Sequence, residues 1–218
     1  MFAHRLIEPE LMDHAEPEEA RSTLADLVRI NRFLGGHSTI RSMLAQIVSP
    51  HDSFTLLDIG AASGDTARVI RESYPHATVT SLDYNQVNIE AAPHPKVIAD
   101  AFHMPFQPES FDFVLSSLFL HHFTDDQVAL LLRSFHDAAR RGVLIADLER
   151  HIVPYLFLKF SKPLFGWRWI TVHDGLISVR AAFRSHELSA LAQRAGIEKA
   201  QVRTHRPAFR LTLAALKN

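Results

Sequence analysis

The stretch from residue 54 to residue 74 constrains the fold of this chain more than any other. Apolar residues dominate Phe54–Ile59 and predict a buried strand, Gly60 and Gly64 turn the backbone sharply, and Thr66–Tyr74 has the pattern of a helix. A strand that enters a helix through a glycine turn directs backbone N–H groups and the positive end of the helix dipole at one place. The sequence therefore predicts a nucleotide-like ligand at this turn, although the turn alone does not say which one.

Short apolar strands alternate with helical segments along the chain after this turn. Such alternation predicts parallel strand pairing, helices on both faces of the sheet, and ligands at the carboxyl ends of the strands. A last helix begins near Ser185 and precedes two closing strands. The predicted strands are Phe54–Ile59, Ala77–Leu82, Lys96–Ala99, Phe111–Ser116, Gly142–Ala146, Ile197–Arg203 and Phe209–Leu216.

The first part of the chain is helical and lacks strand patterns. Helices are predicted over Glu18–Leu34 and Ser38–Val48, and the turn-rich residues 49–52 follow them. We therefore expect one domain of α/β type over residues 53–218, preceded by a helical cap over residues 1–52.

Composition excludes several classes of protein. The chain has 218 residues, a formal net charge of −1 and no cysteine. A near-neutral chain has no electrostatic basis for binding nucleic acid. Disulfides, zinc–thiolate sites and cysteine nucleophiles are excluded as well. We expect a cytoplasmic protein with no signal peptide and no transmembrane segment, whose oligomeric state the sequence does not indicate.

Acidic residues follow three of the predicted buried strands, at Asp83, Asp100 and Asp147, and a further acid, Asp58, lies just before the glycine turn. A carboxylate at the position of Asp83 can accept both ribose hydroxyls of a nucleotide. A dinucleotide-dependent dehydrogenase would share that feature. The acid after the third strand, Asp100, favours a cofactor other than a nicotinamide dinucleotide.

Five motifs within about residues 54–150 carry a resemblance to a known family, and they read LLDIGAASGD, SLDYN, ADAFHMPF, ESFDFVLSSLFLHHF and RRGVLIADLER. Through these motifs the chain resembles the class I S-adenosylmethionine-dependent methyltransferases, and within them it is similar to the small-molecule branch that includes the ubiquinone and menaquinone biosynthesis methyltransferases. That family implies a Rossmann-like fold with a seven-stranded, mostly parallel sheet that ends in an antiparallel hairpin.

The resemblance implies S-adenosylmethionine as cofactor and S-adenosylhomocysteine as product. It places Gly60, Ala61 and Gly64 beside the methionine moiety, with Asp58 ordering the loop. Asp83 would bind the ribose and Tyr84 would lie against the adenine. The remaining implied cofactor residues are Asp100 with Ala101 and Phe102 at the adenine amino group, and Ser117 with Leu118 near the sulfonium.

One residue departs from the family pattern. The middle glycine of the usual Asp-x-Gly-x-Gly-x-Gly turn is replaced by Ala62. Because alanine is small, we expect Ala62 to stay part of the cofactor site, in a slightly stiffer loop.

Methyl transfer requires an aligned acceptor and, for a phenol or enol, a base. Histidine is the side chain best suited to that role near neutral pH. His121 and His122 follow the fourth strand and are the first candidates for catalysis and acceptor binding, although either can instead cap the next helix or order its loop. A metal bound by this pair is disfavoured because no carboxylates cluster with it in the sequence.

An aromatic-rich insertion covers about residues 151–183. It either covers the active site as an apolar lid, which we favour, or docks on a membrane surface or a partner. His173 and Asp174 either face the acceptor, with His173 as the second candidate base, or form a turn. Trp167 in the insertion and Asn31 in the first helix are further candidate acceptor contacts.

The sequence thus predicts a methyltransferase that acts on an apolar or aromatic small molecule, such as a phenol, quinol or polyketide-type ring of secondary metabolism. Methylation of oxygen is favoured over methylation of carbon. Two other classes stay open: a nicotinamide-dependent oxidoreductase, and a catalytically silent protein that binds S-adenosylmethionine and contacts another protein.

Overall fold

A computed structural model describes residues 2–217 and contains one seven-stranded sheet in the order β3-β2-β1-β4-β5-β7-β6. Strands β1 to β5 pair in parallel, whereas β7 runs antiparallel to both β5 and β6. The predicted fold class is confirmed. The strands are β1 (Thr55–Ile59), β2 (Thr78–Asp83), β3 (Lys96–Ile98), β4 (Phe111–Ser117), β5 (Ala139–Leu148), β6 (Gln201–His205) and β7 (Arg210–Leu216).

Eight helices surround this sheet in the described part of the chain. Most lie close to their predicted bounds, and the aromatic-rich insertion forms two of them, α6 and α7. The helices are α1 (Pro17–Phe33), α2 (Gly36–Leu44), α3 (Asp65–Ser73), α4 (Gln86–Ile89), α5 (Asp125–Ala138), α6 (Ile152–Phe165), α7 (Trp169–Ala181) and α8 (Ser185–Arg194).

The core has two parts because successive residues of a strand point to opposite faces of the sheet. Leu57 of β1 packs in a cluster with residues of α5 and α8, and its neighbour Leu56 packs in another with residues of α2 and α3. Both leucines are fully buried. The predicted cap helix α2 therefore contributes directly to the core beneath the sheet.

The segment before α1 is held against α7, far from it in sequence. The buried Asp174 carboxylate of α7 accepts hydrogen bonds from the backbone N–H groups of Leu11 at 3.0 Å and Met12 at 2.9 Å, at the start of the short 3₁₀ turn Leu11–His14. Arg5 donates to the carbonyl oxygen of Ala181 at 2.7 Å. These contacts hold the N-terminal segment across the carboxyl edge of the sheet.

Local differences from the sequence prediction have physical causes. β5 begins and ends beyond Gly142–Ala146, because β4 and β7 pair with it on both sides. His173, Asp174 and Gly175 lie inside α7, so the predicted turn at these residues is wrong. Helix α5 is capped by Thr124, which forms a capping box with Gln127. None of the described helices is long and apolar enough to cross a membrane.

Candidate active site

A cavity of about 990 Å³ opens at the carboxyl edge of the sheet. The glycine turn after β1 lies on one side of it, and α1, α6, α7 and the turn between β6 and β7 enclose the rest. Most of its lining is apolar, as is usual for sites that bind organic molecules. The polar side chains that line it include Glu10, Asn31, Asp83, Asp100, His121, His122, Ser178 and Arg210.

The turn after β1 is fixed by backbone hydrogen bonds to β2. The N–H groups of Gly60 and Ala61 both donate to the carbonyl oxygen of Leu82 at 3.0 Å. Gly60 has φ 70°, and a Cβ on it would meet the ring of Phe119 at 2.4 Å. Only glycine fits both the conformation and the space, so the turn presents bare backbone at the cavity.

Ala62 adopts the conformation of the glycine that it replaces. Its φ is 45°, in the left-handed region, which costs about 1–2 kcal/mol for a residue with a Cβ. Its N–H donates to Oδ2 of Asp83 at 2.8 Å. This hydrogen bond helps to hold the strained residue in place and ties the turn to the end of β2.

The Asp83 carboxylate, at the end of β2, lines the cavity and is 7% exposed. Its Oδ1 accepts from the N–H of Asn85 at 2.9 Å. Burial raises the pKa of Asp83, and the hydrogen bonds from Asn85 and Ala62 counteract that rise. A carboxylate held in this way keeps free lone pairs that can accept hydroxyl groups.

Asp58 and Gly64 do not line the cavity, although both were predicted to contribute to the cofactor site. The Asp58 side chain is 1% exposed, and its Oδ2 has no hydrogen-bond partner among residues 2–217. Burial, together with the charges of Asp83 and Asp65, raises the pKa of Asp58 to about 8. Gly64 has φ 73° and begins α3, so its contribution is to the path of the backbone.

The other predicted cofactor residues lie after β2, β3 and β4. Tyr84, Asp100 and Ala101 line the cavity, whereas Phe102 does not and packs edge-on against Phe123. Asp100 accepts from the N–H of Phe102 at 2.9 Å, which lowers the pKa of Asp100. After β4, Ser117 and Leu118 both line the cavity, and Leu118 has a φ of 53°. Such strain in a bulky residue is typical of functional sites.

His121 forms a pair with the acid at the end of β5. Its Nδ1 lies 2.7 Å from Oδ1 of Asp147, which is fully buried. An ionised carboxylate only accepts hydrogen bonds, so Nδ1 carries the proton and Nε2 is left for other partners. Burial alone would lower the pKa of His121, but Asp147 and then Glu10 outweigh it and raise that pKa to about 9.

Glu10, from the N-terminal segment, joins the two histidines. Its Oε1 lies 3.8 Å from Nε2 of His121 and 3.9 Å from Nδ1 of His122, and it also accepts a hydrogen bond from the Ser178 hydroxyl. The histidine rings stack with their centroids 4.3 Å apart. Burial and the adjacent charge of His121 lower the pKa of His122 to about 4. Near neutral pH the site therefore holds one charged and one neutral imidazole.

The absence of a nearby carboxylate was the sequence argument against a metal at this pair, and the structure overturns that argument. One ligand atom from each of Glu10, His121 and His122 lies within 4.8 Å of the others, a grouping that three ligands of a metal ion can have. Two members of the group also have hydrogen bonds outside it: His121 pairs with Asp147 through Nδ1, and Glu10 accepts from the Ser178 hydroxyl.

Three predicted acceptor contacts lie away from the cavity lining. Trp167 is 3% exposed and packs inward, where its Nε1 donates to the Ser161 hydroxyl at 3.2 Å. The Asp174 carboxylate accepts hydrogen bonds from the N-terminal segment. Nδ1 of the neighbouring His173 lies 3.1 Å from Oδ1 of Asp174. Asn31, in contrast, does line the cavity.

Sequence reasoning missed Glu10, Ser178 and Arg210, and it treated Asp147 only as the end of a strand. The N-terminal segment has no hydrophobic periodicity, so nothing local marks Glu10 as a site residue. Arg210 opens a strand, where arginine is usually a solvated edge residue. Of these four residues, only Asp147 had a visible signal in the sequence, because it follows a buried strand as Asp83 and Asp100 do. This signal could have paired Asp147 with a histidine.

Comparison with known proteins agrees with this geometry. The family described as a methyltransferase domain matches residues 57–146. The demethylmenaquinone methyltransferase of Thermotoga maritima is 24% identical over 159 residues, which are 68% of this chain and 68% of that protein. Residues 57–146 therefore form a methyltransferase domain, and its cofactor is S-adenosylmethionine.

Two further similar proteins bear on the fold and the class of methyltransferase. The 3′-hydroxy-N-methyl-(S)-coclaurine 4′-O-methyltransferase 1 of Papaver somniferum is 27% identical over 65% of this chain, and the match spans 45% of that protein, less than half its length. The plantazolicin methyltransferase BpumL, solved with S-adenosylhomocysteine and a substrate analogue, superposes with a TM-score of 0.67 at 14% identity, over 91% of this chain and 88% of that one.

The residues of this methyltransferase fit the cofactor. Gly60 lines the cavity without a side chain, so the backbone of the turn is accessible there, and the buried Asp83 carboxylate at the cavity edge can accept ribose hydroxyls. Bound S-adenosylmethionine supplies an electrophilic methyl group on a sulfonium. The chain has to bind it, align an acceptor, exclude water and move a proton.

Proposed function

We propose that this methyltransferase methylates a hydroxyl oxygen of an apolar, aromatic small molecule, a phenol or quinol. The single observation that carries the proposal is the buried Asp147–His121 pair facing a mostly apolar cavity beside the glycine turn. A histidine oriented by a carboxylate through Nδ1 presents Nε2 as a base. Transfer to oxygen requires such a group, because a neutral phenol is a weak nucleophile.

Within this proposal His121 is the base and Glu10 is a positioning residue. His121 accepts the hydroxyl proton at Nε2 when it is in its neutral form, and Asp147 stabilises the resulting imidazolium. The pKa of about 9 is close to that of a phenol, so proton transfer between the two is nearly balanced in energy. His122 stays neutral and packs against the ring of His121.

The names of the two curated relatives support the acceptor class. One is named for demethylmenaquinone and the other for 4′-O-methylation of 3′-hydroxy-N-methyl-(S)-coclaurine. Methylation of a ring carbon of a quinol would use the same base and is the second candidate, favoured by the first of these names. Secondary metabolism and a cytoplasmic location belong to the same proposal.

We further propose that α6 and α7 act as a lid. Val153, Pro154, Phe157 and Leu158 of α6 line the cavity and would cover an apolar acceptor. On the outer side of the same helix, Phe160 is 68% exposed and Leu164 is 79% exposed. Peripheral contact with a membrane is the alternative role of this outer side.

Turnover assays test the proposed function. The full chain is incubated with methyl-labelled S-adenosylmethionine and a panel of phenols and quinols, each paired with its O-methyl ether. We expect label in the free hydroxyl compounds only, located on oxygen by NMR of the product, and unchanged turnover in excess EDTA. Label on carbon would select the second candidate. Loss of turnover on chelation would identify Glu10, His121 and His122 as metal ligands instead.

A further inference from the structure

Arg210 lines the cavity on the side away from the predicted cofactor residues. It is the first residue of β7, paired in register with Leu148 of β5, and it is 4% exposed. In the sheet order, β4 and β5 separate β7 from β1. With adjacent strands about 4.8 Å apart, β7 lies roughly 14 Å from the strand that leads into the glycine turn.

The guanidinium of Arg210 has almost no partners within the described residues. Its Nη2 donates a long hydrogen bond of 3.5 Å to Oδ1 of Asn31, and neither Nε nor Nη1 has any partner. Asp147 is close enough to act on its charge, but the oxygens of Asp147 accept from His121 and Leu148. Burial lowers the pKa of Arg210 to about 10, which leaves it charged near neutral pH.

A buried cation without hydrogen-bonded partners is costly, and native structures keep few of them. The planar guanidinium offers five N–H groups in a fork that matches a carboxylate or another anionic oxygen. Three of its neighbours along the chain and across the sheet are apolar and line the same cavity, namely Leu148, Ala208 and Phe209. Its register partner on β6, His205, does not line the cavity. The surroundings therefore suit a ligand with an apolar body and one anionic oxygen.

We propose that Arg210 binds an anionic oxygen, a carboxylate or phenolate, of the methyl acceptor. Asn31 orients the guanidinium through its Oδ1. The inference rests on the proposed function in one respect: it takes the molecule on this side of the cavity to be the methyl acceptor. The other source of the same chemistry is the amino-acid carboxylate of S-adenosylmethionine, and the strand order favours the acceptor because β7 lies well away from the glycine turn.

Binding measurements on the full chain saturated with S-adenosylhomocysteine test this assignment. The probes are three acids and their carboxamides: benzoate, 2-naphthoate and decanoate. By calorimetry, at least one acid should bind about tenfold or more tightly than its amide, as expected for a charge-assisted pair. The Arg210→Met variant should lose this preference and keep its affinity for S-adenosylhomocysteine within about twofold.

Arg206→Met is the matched control on the same hairpin. Arg206 pairs with Glu149 at 2.6 Å, is half exposed and does not line the cavity, so its loss should leave the preference unchanged. Arg210→Lys keeps the positive charge but lacks the planar set of guanidinium N–H groups, and it is the variant to test if Arg210→Met does not fold. It should retain only part of the preference.

Several results would overturn the proposal. One is a wild-type chain that binds no acid more tightly than its amide, and another is a preference that survives in the variants at Arg210. A parallel loss of affinity for S-adenosylhomocysteine would assign the guanidinium to the cofactor. Because no methyl transfer is measured, an inactive enzyme with an intact preference would reject the proposed function and leave this inference standing.

Discussion

The two sides of the cavity are built in different ways. On the cofactor side, the turn after β1 is held by Leu82 and Asp83 at the end of the next strand, so its contacts are local in the chain. On the acceptor side, Glu10 bonds to Ser178 and Asp174 bonds to Leu11, residues more than 160 positions apart in sequence. The cofactor side therefore depends on backbone shape, and the acceptor side depends on tertiary packing.

This difference teaches where new specificity arises in such a fold. If the glycine turn and the acid after β2 bind the cofactor as predicted, their ligand is constant and few side chains can change there. The acceptor side combines the N-terminal segment, α1, α6, α7 and the β6–β7 turn, which are connected to the sheet only at their ends. Its lining can vary without disturbing the sheet.

The largest expected effect on ligand binding is on the cofactor side, from Asp83→Ala. The variant removes the acceptor of the Ala62 N–H and the carboxylate that faces the cavity. Loss of hydrogen bonds to a charged group should weaken S-adenosylhomocysteine about hundredfold or more in calorimetry. Asp100→Ala, which removes a solvent-exposed carboxylate, should have a smaller effect, and equal affinities for wild type and Asp83→Ala would refute the cofactor site.

On the acceptor side, His121→Gln should lower kcat by about 10²–10⁴ and leave the affinity for S-adenosylhomocysteine nearly unchanged. Glutamine keeps a polar group next to Asp147 but cannot take up a proton. His122→Gln is the matched control on the neighbouring residue, and alanine variants of both residues should lower turnover more than cofactor affinity. If His122→Gln lowers kcat more than His121→Gln does, the roles of the two histidines are reversed.

A smaller effect is expected where the acceptor side is anchored. Asp174→Asn leaves one carbonyl oxygen for the two N–H groups of Leu11 and Met12. The free energy of unfolding should fall by about 1 kcal/mol, and amide exchange of residues 11–14 should accelerate. Asp52→Asn, in an exposed loop, is the control. Unchanged exchange in Asp174→Asn would show that this anchor is unimportant.

The smallest expected effect distinguishes the two sides of α6. Phe157 lines the cavity and Phe160, three residues later, does not. Phe157→Ala should raise the KM for an apolar acceptor by up to about tenfold through lost apolar contact, and Phe160→Ala should leave it unchanged. If instead only Phe160→Ala raises the KM, and only when the acceptor is presented in vesicles, α6 is a docking element rather than a lid.

The same contrast explains what the sequence could predict. The strand, glycine turn and helix from Thr55 to Ser73 are coded by local pattern, so the fold class, the sheet and the position of Gly60 and Asp83 at the cavity were predictable. Trp167 was assigned to the acceptor because a tryptophan needs a surface to pack against, but its indole pairs with Ser161 inside the insertion. Glu10 and Arg210 reach the cavity only through long-range packing, which no short pattern records.

The pH dependence of kcat/KM tests the central claim, that the Asp147–His121 pair is the base, most directly. His121 must lose a proton before it can accept one, so with a pKa of about 9 the rate should rise about tenfold per pH unit below pH 9 and level off above it. Because an opposing carboxylate raises this pKa, Asp147→Asn should move the break to lower pH.

Two acceptors whose hydroxyl groups differ in pKa separate ionisation of the enzyme from ionisation of the acceptor. The account predicts one break near pH 9 for both acceptors, shifted to lower pH by Asp147→Asn. A rate independent of pH between 6 and 9, as a base with the His122 pKa of about 4 would give, would contradict it. So would a break that follows the acceptor and ignores Asp147.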